Sequence, residues 1–200
     1  MSGEIDFYYE FSSPYGYIAA ELIEDLAAKY NRKVNWKPFL LGAVFKLEGT
    51  KSLVEYPMKG AYSNHDIERS ARFYGLAYKW PEKFPIFTVN AARAVYWVKD
   101  ADPSKDKDLS IAIYHAAFVE GKDIANLQVL AEAAASAGVD SDAMLEGIKT
   151  DVVKQRLKDQ VAEGLERKVF GSPFFFIDGE AFWGVDRFSQ MEKWLETGGW

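Results

Sequence analysis

No cysteine occurs among the 200 residues. Disulfide exchange needs a protein sulfur as nucleophile, so the sequence excludes that chemistry. Histidine is nearly as scarce. His65 and His115 are the only two, too few for a three-histidine zinc site and outside any ligand motif. No run approaches the roughly 18 uninterrupted apolar residues of a membrane span. The opening Met1-Ser2-Gly3-Glu4 lacks the basic and apolar regions of a signal peptide. A soluble, cytoplasmic protein is the expectation, with which the missing cysteine is compatible. Basic residues are outnumbered, 24 Lys and Arg against 30 acidic, for a net charge of −6. That balance argues against nucleic acid as a main partner. Gly42 and Gly184 form no phosphate-cradling pattern, which argues against a nucleotide cofactor. Internal repeats and low-complexity tracts are absent as well.

What is present is apolar and aromatic. With 48% hydrophobic residues and 16% aromatics, the chain can bury a large core as one domain or two closely packed lobes. The opening reads strand, helix, strand. Ile5 to Glu10 mixes β-branched and aromatic residues. Pro14 follows a serine at the first helical position, and Ile18, Leu22, Ile23 and Leu26 keep helical spacing. Lys33 to Phe39 reads as a second strand, parallel to the first through a right-handed crossover. The middle of the chain predicts helices over 65–75, 90–99, 108–119, 126–137, 141–148 and 151–167, punctuated by Gly75, a linker Trp80 to Pro85, Gly121 and Gly138. Lys105 to Asp108 reads as a solvated loop. At the end, Pro173 to Ile177 and Glu180 to Trp183 flank Asp178-Gly179, a strong hairpin turn. A last helix carries Phe188, Met191 and Leu195, with Asp186 as its cap. One sheet built from both ends of the chain, with helices inserted between them, is the expected plan.

Chemistry concentrates where the first strand gives way to the first helix, at Phe11-Ser12-Ser13-Pro14-Tyr15-Gly16. The arrangement resembles a thioredoxin-type active-site turn in which Ser13 and Gly16 stand where a Cys-x-x-Cys pair would be. Such a turn opens a helix whose N-terminus favours a thiolate, so the sulfur would arrive on a ligand. Ser13 is equally a simple N-cap, worth roughly 1 kcal/mol. Gly171-Ser172-Pro173 precedes the third strand. Pro173 either starts an edge strand or forms a cis bond with Ser172, leaving the Ser172 backbone to pair with an extended peptide.

The two ends together resemble a known family. Asp6-Phe7-Tyr8-Tyr9-Glu10-Phe11-Ser12-Ser13-Pro14-Tyr15 and Trp36 to Phe45 carry the resemblance at one end. Arg167 to Pro173 and Phe182-Trp183-Gly184-Val185-Asp186-Arg187 carry it at the other. The chain is similar over nearly its whole length to the glutathione-dependent 2-hydroxychromene-2-carboxylate isomerases, which group with kappa-class glutathione transferases and DsbA-like thioredoxin-fold proteins. The resemblance implies an α/β, thioredoxin-like fold with a large all-helical insertion: a discontinuous domain of residues 1–42 and 168–200, and an inserted helical domain of residues 43–167. It implies glutathione as cofactor, a small aromatic substrate and a homodimer. Ser13 would stand beside the glutathione sulfur and Ser172 would pair its backbone with the cysteinyl unit. Trp183, Gly184, Val185 and Asp186 would hold the γ-glutamyl end, with Asp186 as partner of the ammonium. Relatives carry an Asn-x-Pro-Pro-like stretch after the second strand. Here Gly49 to Lys59 matches that pattern at Pro57 and Lys59 but lacks the asparagine.

Lowering a thiol pKa from about 8.5 to about 6.5 needs roughly 2.7 kcal/mol. A hydroxyl donated to a charged acceptor supplies about 1.5–3 kcal/mol and a helix N-terminus about 0.3–1 more. Ser13 and its helix therefore suffice without a metal or a histidine. The activity so implied is isomerisation by reversible thiolate addition to an unsaturated carbon, bond rotation and elimination. A kappa-like transferase that consumes glutathione is the alternative, and a non-catalytic peptide-binding module is a third. Tyr15, Phe45, Tyr62 and Tyr96 are candidates for an aryl pocket, and core packing explains them equally well. Asn90 is expected to cap its helix.

Overall fold

The computed structural model describes residues 3–81 and 83–200. Met1, Ser2 and Glu82, the last within the proline-containing linker, lie outside the described residues. Strand β1 (Glu4–Tyr9) runs parallel to β2 (Lys33–Pro38), with Phe7 opposite Trp36. On its other side β1 pairs antiparallel with β3 (Phe174–Ile177), which pairs antiparallel with β4 (Glu180–Trp183). The order is β2-β1-β3-β4, so both ends of the chain supply the sheet. Asp178 and Gly179 have φ of 52° and 93°. Both are positive, as a tight two-residue hairpin turn demands.

Helix α1 (Pro14–Lys29) is the crossover between β1 and β2. Between β2 and β3 come α2 (Leu41–Glu48), α3 (Pro57–Phe73), α4 (Val89–Ala101), α5 (Asp106–Phe118), α6 (Leu127–Ser136), α7 (Ser141–Gly147) and α8 (Asp151–Glu166). Helix α9 (Phe188–Thr197) closes the chain. The structure corrects the expected elements at four places. Helix α2 and a short 3-10 turn at Leu53–Glu55 were not expected, and α3 starts eight residues earlier than the predicted 65. Its start is Pro57 at the first helical position behind Tyr56, which makes no side-chain cap, so the usual polar signal is missing. Lys105 to Asp108 is not a solvated loop. It enters α5, and Asp106 is buried against Lys99 at 3.1 Å. Asn90 lies inside α4, whose N-cap position is Thr88. Asp186 does not cap α9; it sits in a 3-10 turn, and the N-cap position falls on Arg187.

One continuous core links the sheet to the inserted helices. It joins Phe7, Tyr9 and Phe175 on the strands with Ile18 and Ile23 on α1, and with Val95, Leu109, Tyr114 and Phe118 on α4 and α5. Phe7 stacks on Phe175 at 5.1 Å between ring centroids and meets Trp36 edge-on. The aromatic content of the sequence is spent mainly here. The opposite face of the sheet meets α8 through a smaller apolar cluster, with Tyr8 and Phe174 against Val161 and Leu165. Ion pairs flank it, of Lys37 with Glu163 at 2.7 Å and of Arg167, just past the helix, with Asp6 at 2.5 Å.

Candidate active site

The turn after β1 is fixed by hydrogen bonds at both ends. Ser13 is extended at φ −92° and ψ 111°, and its Oγ accepts the Gly16 N–H at 3.0 Å. It therefore does cap α1, satisfying one of the helix's free donors. The same hydroxyl donates to the Ser172 carbonyl at 3.0 Å. Ser13 and Ser172, 159 residues apart, are thus in direct contact. The Ser172–Pro173 peptide bond is cis, the alternative left open above. Ser13 and Ser172 are both half-buried, at the surface end of the turn.

Beneath them lies a residue that the motif reading passed over. Glu10 is 4% exposed. Its main-chain N–H donates to Ser172 Oγ at 2.9 Å, and its carbonyl accepts the Ser13 N–H at 2.8 Å and the Tyr114 hydroxyl at 3.0 Å. Its carboxylate accepts from Leu41 N–H at 3.0 Å, from Ser12 N–H at 3.4 Å and from the Thr88 hydroxyl. Burial pushes the Glu10 carboxyl above the ordinary range, while the Thr88 and backbone donors pull it back. The tip of Tyr114 also explains Gly16. A Cβ at that position would stand 2.6 Å from the Tyr114 hydroxyl oxygen and 2.9 Å from Ser172 Oγ, so no side chain fits.

Behind the Ser172 loop, Gly184 donates its N–H to the Pro173 carbonyl at 3.0 Å and has φ 102°. The Trp183 indole is half-exposed. It covers Gly171, where a Cβ would come 2.1 Å from its Nε1, and meets the Phe170 ring at 4.8 Å. Val185 is buried in the core, which leaves only its main chain for a ligand. The Asp186 carboxylate is 71% exposed and 3.4 Å from Arg187. The structure so brings Ser13, Ser172, Trp183 and Gly184 around one loop, with Asp186 on the solvent side of the following turn.

An open, largely apolar cavity of about 380 Å³ adjoins the turn, lined by Tyr15, Leu53, Met58, Lys59, Tyr62 and Ser63. Tyr15 donates to Asp66 at 2.7 Å, and Arg69 holds the other oxygen of that carboxylate. Burial first, then the hydrogen bond to Asp66 and its charge, push the Tyr15 phenol far above its usual range, so Tyr15 stays neutral. Tyr62 belongs to the cavity, as expected. Tyr96 does not: it is 1% exposed and donates to the Pro38 carbonyl. Phe45, on α2, is outside it too. A larger groove of about 550 Å³ runs between α5 and α6 and contains none of these residues. His115 lies there, 2.7 Å from Glu21, and His65 is exposed on α3. Among the described residues no group of three or more His, Cys, Asp or Glu is placed to hold a metal ion.

The model of the DsbA-like thioredoxin domain matches residues 4–196. The chain belongs to the DsbA-like thioredoxin family. Within that family it is 28% identical over 197 residues to a 2-hydroxychromene-2-carboxylate isomerase of Sphingobium xenophagum, covering 98% of this chain and 99% of the relative. Glutathione S-transferase kappa 1 of Rattus norvegicus is 24% identical over 208 residues, covering 96% and 92%. A solved 2-hydroxychromene-2-carboxylate isomerase superposes with a TM-score of 0.88 at 24% identity, covering 96% of this chain and 94% of the other. The thioredoxin-like fold with its helical insertion is therefore the fold of this DsbA-like protein. Four residues around its site escaped the sequence reading: Glu10, Thr88 and Tyr114 below the turn, and Met58 at the cavity. Glu10 alone had a signal, as an acidic residue directly after the aromatic run Phe7-Tyr8-Tyr9 that ends β1.

Proposed function

We propose that this DsbA-like protein is a glutathione-dependent isomerase acting on 2-hydroxychromene-2-carboxylate or a similar unsaturated metabolite of aromatic degradation. The observation that carries the reading is the Ser13 hydroxyl, placed at the start of α1 and shared with the Ser172 carbonyl. An extended ligand whose N–H took over that carbonyl would release the Ser13 proton to turn toward a sulfur. Binding and thiolate stabilisation are then one event. The Gly16 N–H, bonded to Ser13 Oγ, supports that hydroxyl as a donor, and the helix N-terminus adds to the same anion.

In the reaction the hemiketal ring first opens, its C2–O ring bond breaking as the hydroxyl proton passes to the phenol oxygen. The glutathione sulfur then forms a bond to the electrophilic carbon, and the π electrons move onto the freed carbonyl oxygen. Rotation about the resulting single bond follows. The enolate then re-forms the double bond and expels the thiolate, so glutathione is returned. Ser13 holds the thiolate and forms no covalent bond. The apolar cavity beside Tyr15 would seat the ring, with Lys59 at its rim for an acidic substituent. Trp183 and the main chain of Gly184 and Val185 would line the γ-glutamyl end, with the exposed Asp186 carboxylate meeting its ammonium. A homodimer and a cytoplasmic location belong to the same proposal. Among the described residues no helix is long and apolar enough to cross a membrane.

A kappa-like transferase is the second reading, favoured by the rat relative's name. Measuring free glutathione through many turnovers separates the two: a constant level supports the isomerase, and one-for-one loss supports conjugation. Ser13→Ala should lower kcat/KM about tenfold to hundredfold, from loss of roughly 1.5–3 kcal/mol of thiolate stabilisation. An unchanged rate would contradict thiolate stabilisation by Ser13, and no turnover in the wild type would leave only a binding module.

A further inference from the structure

Glu10 is a buried carboxylate with no ion-pair partner among the described residues. Its side chain is held by the residue before Ser13, by the first residue of α2 and by the N-cap residue of α4. Of these donors the Leu41 N–H opens α2, the Ser12 N–H lies just ahead of α1, and Thr88 gives its side-chain hydroxyl; α1 is the helix that also faces the Ser13 site. The titratable groups that face it are phenols. Tyr114 on α5 bonds its carbonyl, and Tyr9 on β1 bonds Ser110 on α5; burial raises both far above neutrality, so both are uncharged. The turn, α2, α4 and the Ser172 loop offer only N–H and O–H groups.

We infer that Glu10 is a positioning residue that tunes the sulfur: its buried carboxylate, held on the Ser12 N–H next to Ser13, opposes a thiolate at Ser13 and keeps the thiol pKa near ambient pH. The inference rests on the reading of Ser13 as the seat of the sulfur. Without the competing charge, the hydroxyl and the helix would hold the thiolate too strongly. An over-stabilised thiolate is a weaker nucleophile, because thiol reactivity is greatest when the pKa lies near the working pH. Glu10 acts through its charge and through its main-chain grip on Ser13 and Ser172, without touching the substrate.

The test needs no glutathione. Because the chain has no cysteine, Ser13→Cys introduces a single thiol at the site, and its pKa is read from thiolate absorbance and from the pH dependence of its alkylation by iodoacetamide. Adding Glu10→Gln should lower that pKa by about one unit, the order expected for two like charges within about 10 Å at an effective dielectric of about 20. Adding Glu10→Asp, which keeps the charge, should hold it within about 0.3 unit of the parent. Glu10→Met serves as a second neutral variant where the glutamine variant fails to fold. A neutral variant whose thiol pKa stays put or rises overturns the inference, whereas a wild-type protein that ignores glutathione would overturn only the proposed function.

Discussion

In the proposed reaction a single hydroxyl carries the chemistry, and its neighbours are chosen by space. Gly16 is glycine because the Tyr114 hydroxyl and Ser172 Oγ occupy the volume of any side chain. Gly16→Ala should displace the Tyr114 hydroxyl from the Glu10 carbonyl at a cost of about 1–3 kcal/mol. Thermal unfolding checks this, and about 2–4 °C is lost per kcal/mol in a chain of this size. An unchanged Tm would mean that the turn yields without strain. Glu10 gives a second residue-level expectation. Its folded pKa is raised, chiefly by burial, so the folded state binds a proton that the unfolded state releases. The Glu10 contribution to stability therefore falls as pH rises from the ordinary carboxylate range through its raised value. The wild type should gain on Glu10→Gln as pH drops from about 7 to about 4.5, which parallel melts would show. A constant gap between the two would contradict a raised carboxyl. At this scale the sequence was legible for Ser13 and Ser172, which sit in recognisable strings. It was not legible for Glu10 or Thr88, because only the fold brings residues 10, 41 and 88 together.

Elements with polar caps or glycine stops were read most closely. Asp140 caps α7 by accepting the Ala143 N–H at 3.0 Å, Thr150 caps α8, and Gly138 ends α6 at φ 68°. These boundaries fell within a residue or two of expectation. Helices α2 and α3 begin behind Leu40 and Tyr56, neither of which makes a side-chain cap, and the first was missed and the second shortened. Helix α3 also bounds the cavity that adjoins the turn, through Met58 and Tyr62, with Leu53 on the 3-10 turn before it. That is why the cavity was only half foreseen. Tyr62→Ala should remove about 1 kcal/mol of apolar contact with an aromatic substrate. Steady-state kinetics should then show KM raised roughly fivefold, with glutathione affinity unchanged. A loss of glutathione affinity instead would move the cavity from the substrate to the cofactor.

For the whole molecule, the sequence divided the chain into a discontinuous domain of 1–42 and 168–200 and an inserted unit of 43–167. The core runs through both, from Phe175 and Phe7 to Tyr114 and Phe118. Phe11 packs on Tyr114 at 5.0 Å between ring centroids. We therefore expect the two parts to unfold together, in one calorimetric transition whose van't Hoff and calorimetric enthalpies agree. Two separated transitions would mean that the insertion is an independent domain. The same continuity places the Ser13 site at the junction, where the turn from the sheet meets α2, α4 and α5. Tyr114 on α5 bonds the Glu10 carbonyl that also accepts the Ser13 N–H, so the helical part is tied directly to the turn.

The most direct measurement is an isothermal titration of the wild-type protein near pH 7.5 with glutathione and, separately, with S-methylglutathione. Glutathione should bind at least about tenfold more tightly and release a proton on binding, since its thiol becomes a thiolate at Ser13. Equal affinity for the two compounds, or no binding of either, would contradict a site built to hold a sulfur anion.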